Sequence, residues 1–441
     1  MPKTLERSAK KDLQRWKDLP LRKPLLVLGA RQVGKTFLLE SFARENFPRY
    51  HLFDFIENEE LCSLFDGPLD PTTILRRLEL YSGRRIDPEQ ELLILDEIQH
   101  CPRALTSLKY FQKDLPQAFV CGSGSLLGVT FSDSPFPVGK VDRLEIAPMT
   151  FGEFLRAMDQ DELAREIEGF NQQLFATTAI HSKTWELLRY YLITGGLPEV
   201  VSTFVSTFDD INTAFEAVRD LQRKLIRDYQ DDFIRYSNRE NALHIKAVFK
   251  EIPAQLLQSK VSSGRFVFKG VINENSSFRD LEGPIEWLEA AKLVIKCPII
   301  DHIQTPLSVQ ANRKLFKLYL FDVGILGCMT GLTPQSIVNY DYGSYKGFFA
   351  ENFVIQQLLS AVPGRPIACW ARKTAQIEFV LEDNGQVVPI EVKAGINKKA
   401  KSLEIYLKEY QPKRAILFSG NPLLPASGLL EFLPLYFAYS I

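Results

Sequence analysis

One stretch constrains this chain more than any other: Gly29-Ala30-Arg31-Gln32-Val33-Gly34-Lys35-Thr36. It follows the short apolar run 25–28 and opens a helical pattern from Lys35 to about Glu45. A strand, a glycine-containing loop and a helix in this order form a cradle for phosphate groups. The glycines let backbone N–H groups converge on an anion, and the helix N-terminus adds partial positive charge. Lys35 is then placed for the β- and γ-phosphates and the Thr36 hydroxyl for Mg²⁺. The spacing therefore predicts a nucleotide-binding set of Gly29, Arg31, Gln32, Val33, Gly34, Lys35, Thr36 and Phe37.

The surrounding sequence is consistent with that loop. Apolar runs at 51–55 (HLFDF), 91–97 (ELLILDE) and 118–124 (AFVCGSG) alternate with helical patterns. Continuous runs of this kind predict a parallel sheet buried on both faces. Asp96 and Glu97 end one strand. Asp96 is the expected Mg²⁺ holder through the ion's water shell, and Glu97 the expected general base for water attack. Ser123, near the end of the next strand, is read either as a γ-phosphate sensor or as a cap on the following turn. Lys140 and Arg143 are candidate cations for transition-state charge, in cis or toward a neighbouring subunit, with plain surface charge as the simpler reading.

At about 150 residues per domain, 441 residues prepare for three domains. Lys+Arg 53 against Asp+Glu 54 excludes a surface that is wholly a polyanion-binding field, and equally an acidic disordered chain. The 6 Cys form no C-x-x-C pair and the 5 His no paired cluster, which disfavours a zinc site built from local ligands. Lone cysteines among apolar neighbours read as buried residues of a reducing compartment. The N-terminus shows no signal-peptide core, and no run is long enough for a membrane span, so the cytoplasm is expected. Residues 1–23 carry eight basic residues against three acidic ones. A nucleic-acid-touching arm would fit, and a solvated first helix is the simpler reading.

Residues 151–240 read as helical. Ile211, Ala214, Phe215, Val218, Leu221 and Leu225 recur near the 3.6-residue period. Residues 241–312 mix helix with short strands in the manner of a winged helix. From Lys314 the pattern returns to α/β, with a helix at about 347–360, strands at 367–371, 376–382 and 387–393, a helix at about 398–411 and a strand at 414–418. The stretch 429–441 reads as a last strand or a packed terminus.

A second constellation lies in this last region. Glu391 and Lys393 alternate onto one strand face. The turn signal Glu382-Asp383-Asn384-Gly385 pairs that strand with the one carrying Glu378, and Glu351 sits on the preceding helix. Three carboxylates and a lysine are the parts of a Mg²⁺-dependent phosphodiester hydrolase, with Glu351, Glu378 and Glu391 as metal ligands and Glu378, Glu391 and Lys393 as catalytic groups. Solvated alternating charges are the simpler alternative. Lys398, Lys399, Lys401, Lys408, Lys413 and Arg414 either bind phosphate backbone or solvate a helix.

GARQVGKT, LLILDEIQHCPRALTSLK, CGSGS and APMTFGEFL together resemble the bacterial and archaeal predicted ATPases of the AAA+/STAND type, whose core precedes a domain of unknown function. The likeness continues through YYLITGGLPEVV, KLYLFDVGIL and FFAENFVIQQLL. It implies a lid motif at Gly195, Gly196 and Pro198, with Pro198 near the nucleotide. Gly139-Lys140 stands where the family usually carries Gly-Arg, and a lysine lacks the guanidinium fork. The order of elements after Lys314 resembles the PD-(D/E)XK nuclease fold, with Glu378 in the place of the usual Asp and Glu391 and Lys393 as E-x-K.

The expected architecture is thus α/β throughout its ordered ends: a basic segment (1–23), a P-loop AAA+-like parallel-sheet ATPase core (24–150), a helical lid (151–240), a winged-helix-like module (241–312) and a C-terminal restriction-nuclease-like α/β domain (313–441). The expected function is an ATP- and Mg²⁺-using ATPase that gates the C-terminal module for Mg²⁺-dependent DNA binding or processing. The alternative is an ATP-dependent signalling or scaffold switch whose nuclease-like domain is inactive and binds only DNA or protein. Expected partners are ATP and DNA, without membrane; a homo-oligomer is compatible with this reading.

Overall fold

The structure, a computed structural model, describes residues 5–125, 139–235, 237–258, 264–341, 343, 345–372, 375–395 and 400–441. The chain divides into two compact units. One comprises 7–147 with 290–292, and the other 148–289 and 293–441 with 5–6.

The first unit is built on five parallel strands: β1 (Leu25–Leu28), β2 (Tyr50–Asp54), β3 (Leu92–Asp96), β4 (Phe119–Gly124) and β5 (Asp142–Glu145), in spatial order β2-β3-β4-β1-β5. Every residue of β1 and β3 is buried, as expected of apolar runs covered on both faces. Leu93, Leu95 and Val120 share a core with Ile74, Leu78, Leu105, Leu108 and Phe111 of the helices Pro71–Ser82 and Pro102–Asp114. The first of these helices is started by Asp70, whose carboxylate accepts from Thr73 N at 2.8 Å, and by Pro71 at its first position.

The basic N-terminal segment is not simply solvated. Its helix Lys10–Asp18 buries Leu13 and Trp16. The Trp16 ring meets Phe119 edge-on at 6.2 Å, and its Nε1 donates to Lys23 O at 2.7 Å. Lys11 and Arg15 point to solvent. An amphipathic helix buries one stripe and leaves its charges on the other, which a charge count cannot separate.

The second unit joins helices to an eight-stranded mixed sheet. Its helices include Phe151–Ala157, Thr178–Thr194, Pro198–Ser206, Ile211–Arg235 and Arg239–Gln258. Ala214, Phe215, Val218 and Leu225 are the buried stripe of the long helix, as their spacing predicts. The sheet consists of β6 (Val294–Ile300), β7 (Phe316–Leu320), β8 (Ile367–Arg372), β9 (Ala375–Asp383), β10 (Gln386–Val392), β11 (Ala415–Ser419), β12 (Leu424–Ser427) and β13 (Leu430–Pro434), in spatial order β12-β13-β11-β10-β9-β8-β6-β7.

The β9–β10 turn has positive φ at Asn384 (51°) and Gly385 (74°), the conformation that an Asn-Gly pair favours in a two-residue hairpin. The helix Lys401–Tyr410 covers this sheet through Leu403 and Tyr406, which share a core with Trp370 and Ile377.

The sheet crosses the expected boundary at 312/313. β6, read as part of a winged module, pairs in parallel with β8 and antiparallel with β7. Sequence distance hid this pairing, because a whole helix (Tyr345–Ala361) intervenes before β8. Among the described residues, no helix is long and apolar enough to cross a membrane.

Candidate functional site

The phosphate-type loop leaves β1 at its C-terminal end and enters the helix Lys35–Asn46 through Gly34, at φ 85°. Gln32 also has positive φ, at 65°. Gly29 is required by close approach: a Cβ there would lie 2.3 Å from Ile146 O. Because β4 lies between β1 and β3, the side chains of Thr36, Ser123 and Asp96 meet across three strand ends. Thr36 Oγ1 donates to Asp96 Oδ2 at 2.6 Å, and Ser123 Oγ donates to Asp96 Oδ1. Ser123 thus holds one oxygen of the Asp96 carboxylate.

Lys35 is buried and donates to the carbonyls of Gly29 (3.2 Å) and Ala30 (3.0 Å), within the loop that it closes. Burial pushes its pKa down; the nearby Glu97 and Asp96 charges oppose that, and Arg31 adds to it. Burial likewise pushes Asp96 up, against the two hydroxyl donors. Glu97 has left-handed backbone (φ 48°), and its Oε2 accepts from Gln99 Nε2 at 2.5 Å and from Ser125 Oγ at 3.2 Å.

These residues fit a nucleotide phosphate and its divalent ion. Among the described residues, the loop presents a lysine held only by carbonyls, the buried Gln32 Oε1 has no partner, and Thr36 with Asp96 supplies hard oxygen donors. Phe37 is exposed beside them.

Arg7 is a residue that sequence reasoning missed. It is buried and donates to Val33 O in the loop at 2.8 Å and to Ala147 O at 2.6 Å. An isolated arginine before a helix carries no sequence signal for such a role.

β1 and β5 run parallel with Leu25 opposite Asp142, and the loop leaves β1 at the other end. Lys140 precedes β5 and so lies at the opposite end of the sheet from the loop, which agrees with its simpler reading as surface charge. Arg143 pairs with Leu26, inside the edge strand.

Pro198 belongs to the second unit, as the first residue of the helix Pro198–Ser206. There the motif Gly195–Pro198 is held by Asp322: Gly196 N donates to Asp322 Oδ2 at 2.6 Å, and Ile325 N donates to Asp322 Oδ1 at 3.0 Å. Gln356 Nε2 donates to Tyr191 Oη at 3.0 Å, Tyr191 Oη donates to Met149 O at 2.6 Å, and Phe151 N donates to Gln357 Oε1 at 2.8 Å. Burial pushes Asp322 up to about 6 despite the backbone N–H donors around it.

The C-terminal constellation does come together, with an extra member. Continuing the β9–β10 register past Ile390 and Phe379 sets Glu391 opposite Glu378, and Val392 N donates to Glu378 Oε2 at 3.0 Å. Lys393 Nζ donates to Glu391 Oε1. On β7, Lys317 Nζ and Tyr319 Oη both donate to Glu351 Oε2, at 3.2 and 3.0 Å. Burial pushes Glu378 well above the usual carboxylate range, reinforced by Glu391 and Glu351 and opposed by Lys393 and Lys317.

Burial alone would lower Lys317, but Glu351, Cys369 and Glu378 outweigh it and raise its pKa. Lys393 is raised in the same way by Glu378 and Glu391, against burial. Lys317 escaped sequence reading because only the β6–β7 pairing and the helix Tyr345–Ala361 bring it to Glu351.

This group does not fit the divalent-metal role expected of it. Glu351 is already bonded to an ammonium and a phenol, and Glu391 to a second ammonium. Among the described residues, no three His, Cys, Asp or Glu side chains form a set that could hold a metal ion. Nearby, Arg414 is paired with Glu431 at 2.8 Å rather than offered to phosphate, while Lys401, Lys408 and Lys413 are exposed. Lys398 and Lys399 lie outside the described residues.

Residues 21–155 match the family model of an AAA domain. Residues 185–336 and 346–436 match two domains of unknown function, DUF8612 and DUF4143. Comparison with curated proteins gives no match. Among solved structures, the chain is similar to the Orc1 protein of Aeropyrum pernix in complex with DNA, with 13% identity, TM-score 0.32, and coverage of 74% of this chain and 93% of that one. It is similar to AMPPCP-bound DnaA of Aquifex aeolicus, with 14% identity, TM-score 0.27, and coverage of 64% and 86%. It is also similar to a signal transduction ATPase with numerous domains from Pyrococcus horikoshii, with 12% identity, TM-score 0.28, and coverage of 82% and 47%. The family match over residues 21–155 and the parallel five-stranded sheet support an AAA-type P-loop core in this part of the chain.

Proposed function

We propose that this chain is an ATP-driven switch: the first unit binds and hydrolyses ATP, and the second responds to the nucleotide state. The observation that carries this reading is the contact of Thr36 with Asp96 at 2.6 Å beside a buried lysine that no carboxylate of the described residues touches. Loop N–H groups and Lys35 would hold the phosphates, and Thr36 with Asp96 would hold Mg²⁺. That ion, when bound, neutralises phosphate charge. Glu97 orients and deprotonates water. Gln99 and Ser125 occupy part of its acceptor capacity, and a carboxylate has about four lone-pair sites, so room for a water remains.

Phosphate release assays test this. Lys35→Ala should lose nucleotide binding. Glu97→Gln should bind ATP and turn it over about 10²–10⁴ times more slowly, the usual weight of a general base. Turnover by Glu97→Gln equal to that of the parent removes Glu97 from this role.

For the second unit we propose a helical lid followed by a nuclease-like module that binds DNA or protein without cutting. The ion pairs on Glu351 and Glu391 favour this over Mg²⁺-dependent cleavage. The exposed Lys401, Lys408 and Lys413 are the candidate phosphate contacts. DNA affinity that falls steeply with salt supports that role. Plasmid nicking in Mg²⁺ or Mn²⁺ that Lys393→Ala abolishes would restore the cutting reading.

A further inference from the structure

We propose that Lys317 is a built-in counter-cation that holds the C-terminal carboxylate cluster closed to divalent metals. A hard divalent ion needs about six oxygen ligands at 2.0–2.6 Å. Here two ammonium groups face the three carboxylates from within. Lys317 Nζ lies 3.2 Å from Glu351 Oε2, and Lys393 Nζ is bonded to Glu391 Oε1. Tyr319 Oη takes a further acceptor site on Glu351 Oε2, at 3.0 Å. Val392 N takes one on Glu378. Glu391 Oε2 is buried without a partner among the described residues, and the ammonium on the same carboxylate repels a cation that would take it.

The two lysines differ in how easily they could leave. The Lys393 side chain is 29% exposed and can swing toward solvent. The Lys317 side chain is 2% exposed. Gly264 (φ 73°) lies directly over its stem: a Cβ there would sit 2.6 Å from Lys317 Cε and 2.8 Å from Gln376 Nε2. The backbone thus seals the lysine in place. An arriving cation would have to displace a buried ammonium, against the repulsion of both lysines.

Mn²⁺ binding to the full-length, nucleotide-free chain, read by electron paramagnetic resonance, tests this. An Asp96→Asn background removes the other carboxylate that could take the ion. The parent background should bind no Mn²⁺ at the C-terminal carboxylates. Lys317→Met should gain a site at least about 10-fold tighter, the scale on which neighbours of a metal ligand act. Adding Glu391→Gln to Lys317→Met should remove it, and Lys317→Arg, which keeps the cation, should not gain it.

Mn²⁺ bound equally well before and after Lys317→Met, and lost with Glu391→Gln, overturns the proposal. So does a folded Lys317→Met chain that gains no site. Should Lys317→Met fail to fold, Fe²⁺-directed backbone cleavage of the otherwise unaltered chain gives a second reading. Cuts clustered around residues 351, 378 and 391 overturn the proposal, and their absence there supports it. None of these outcomes depends on ATP hydrolysis.

Discussion

Lys35 and Lys317 are both buried lysines with carboxylates nearby, and the two regions hold them in opposite ways. Among the described residues, Lys35 donates only to carbonyl oxygens of its own loop, and burial lowers its pKa. No acid of the described residues is in contact with it, so an incoming anion gains from its charge. Lys317 is bonded to Glu351, and neighbouring acids raise its pKa against burial. Its charge is already answered from inside. A lysine beside acids thus marks a ligand site in one region and an internal brace in the other. The deciding quantity is which atom the ammonium touches.

Four substitutions can break or sharpen this contrast. The largest effect should fall on nucleotide affinity in Lys35→Met, with binding lost in a fluorescent-nucleotide titration. The same variant without nucleotide should unfold within about 1 kcal/mol of the parent, because no ion pair is removed. Glu351→Gln should do the reverse, with ATP affinity unchanged and the second unit destabilised by about 3–5 kcal/mol in denaturant, the cost of stranding a buried charge. The double variant Lys317→Met/Glu351→Leu should recover most of that loss. Equal denaturation curves for Glu351→Gln and the parent would end the brace interpretation.

Asp322 supplies a pH test. Burial holds its folded pKa at about 6, above the ordinary aspartate value of 3.8. The folded state therefore holds the extra proton between those values, and stability should fall as pH rises from about 4 to 6 and level off above. Asp322→Asn keeps an acceptor at the helix start and should flatten that slope in thermal melts. The smallest effect is expected for Arg7→Ala. It leaves the carbonyls of Val33 and Ala147 short of a charged donor, a loss of about 1.5–3 kcal/mol, and should weaken ATP binding without changing turnover at saturation.

Much of the first region was legible because its signals are local. The strand 25–28, the loop and the helix starting at Lys35 follow from adjacent residues, and the buried runs at 92–96 and 119–124 follow from continuous apolarity. The bond from Ser123 to Asp96 was not legible, since it depends on β4 slipping between β1 and β3. The place of Lys140 was not legible, because only the parallel β1–β5 register decides at which end of the sheet it lies. In the second region, Glu378, Glu391 and the Asn384-Gly385 turn could be read from alternation and turn chemistry. Lys317 could not, because the helices Val323–Met329 and Pro334–Val338 lie between it and the helix that carries the acid it meets.

The placement of β6 carries a consequence for how this sequence can be divided. β6 is the neighbour of both β7 and β8, so a chain begun at residue 313 would keep β7 with nothing to pair with and β8 with a bare row of N–H and C=O groups. Exposed strand edges recruit other chains. A fragment cut there should associate with itself, whereas one begun ahead of β6 carries its own cover for that edge. Recombination that shuffled the C-terminal module would have to carry β6 with it, and the smallest inheritable piece of this sheet begins before residue 294.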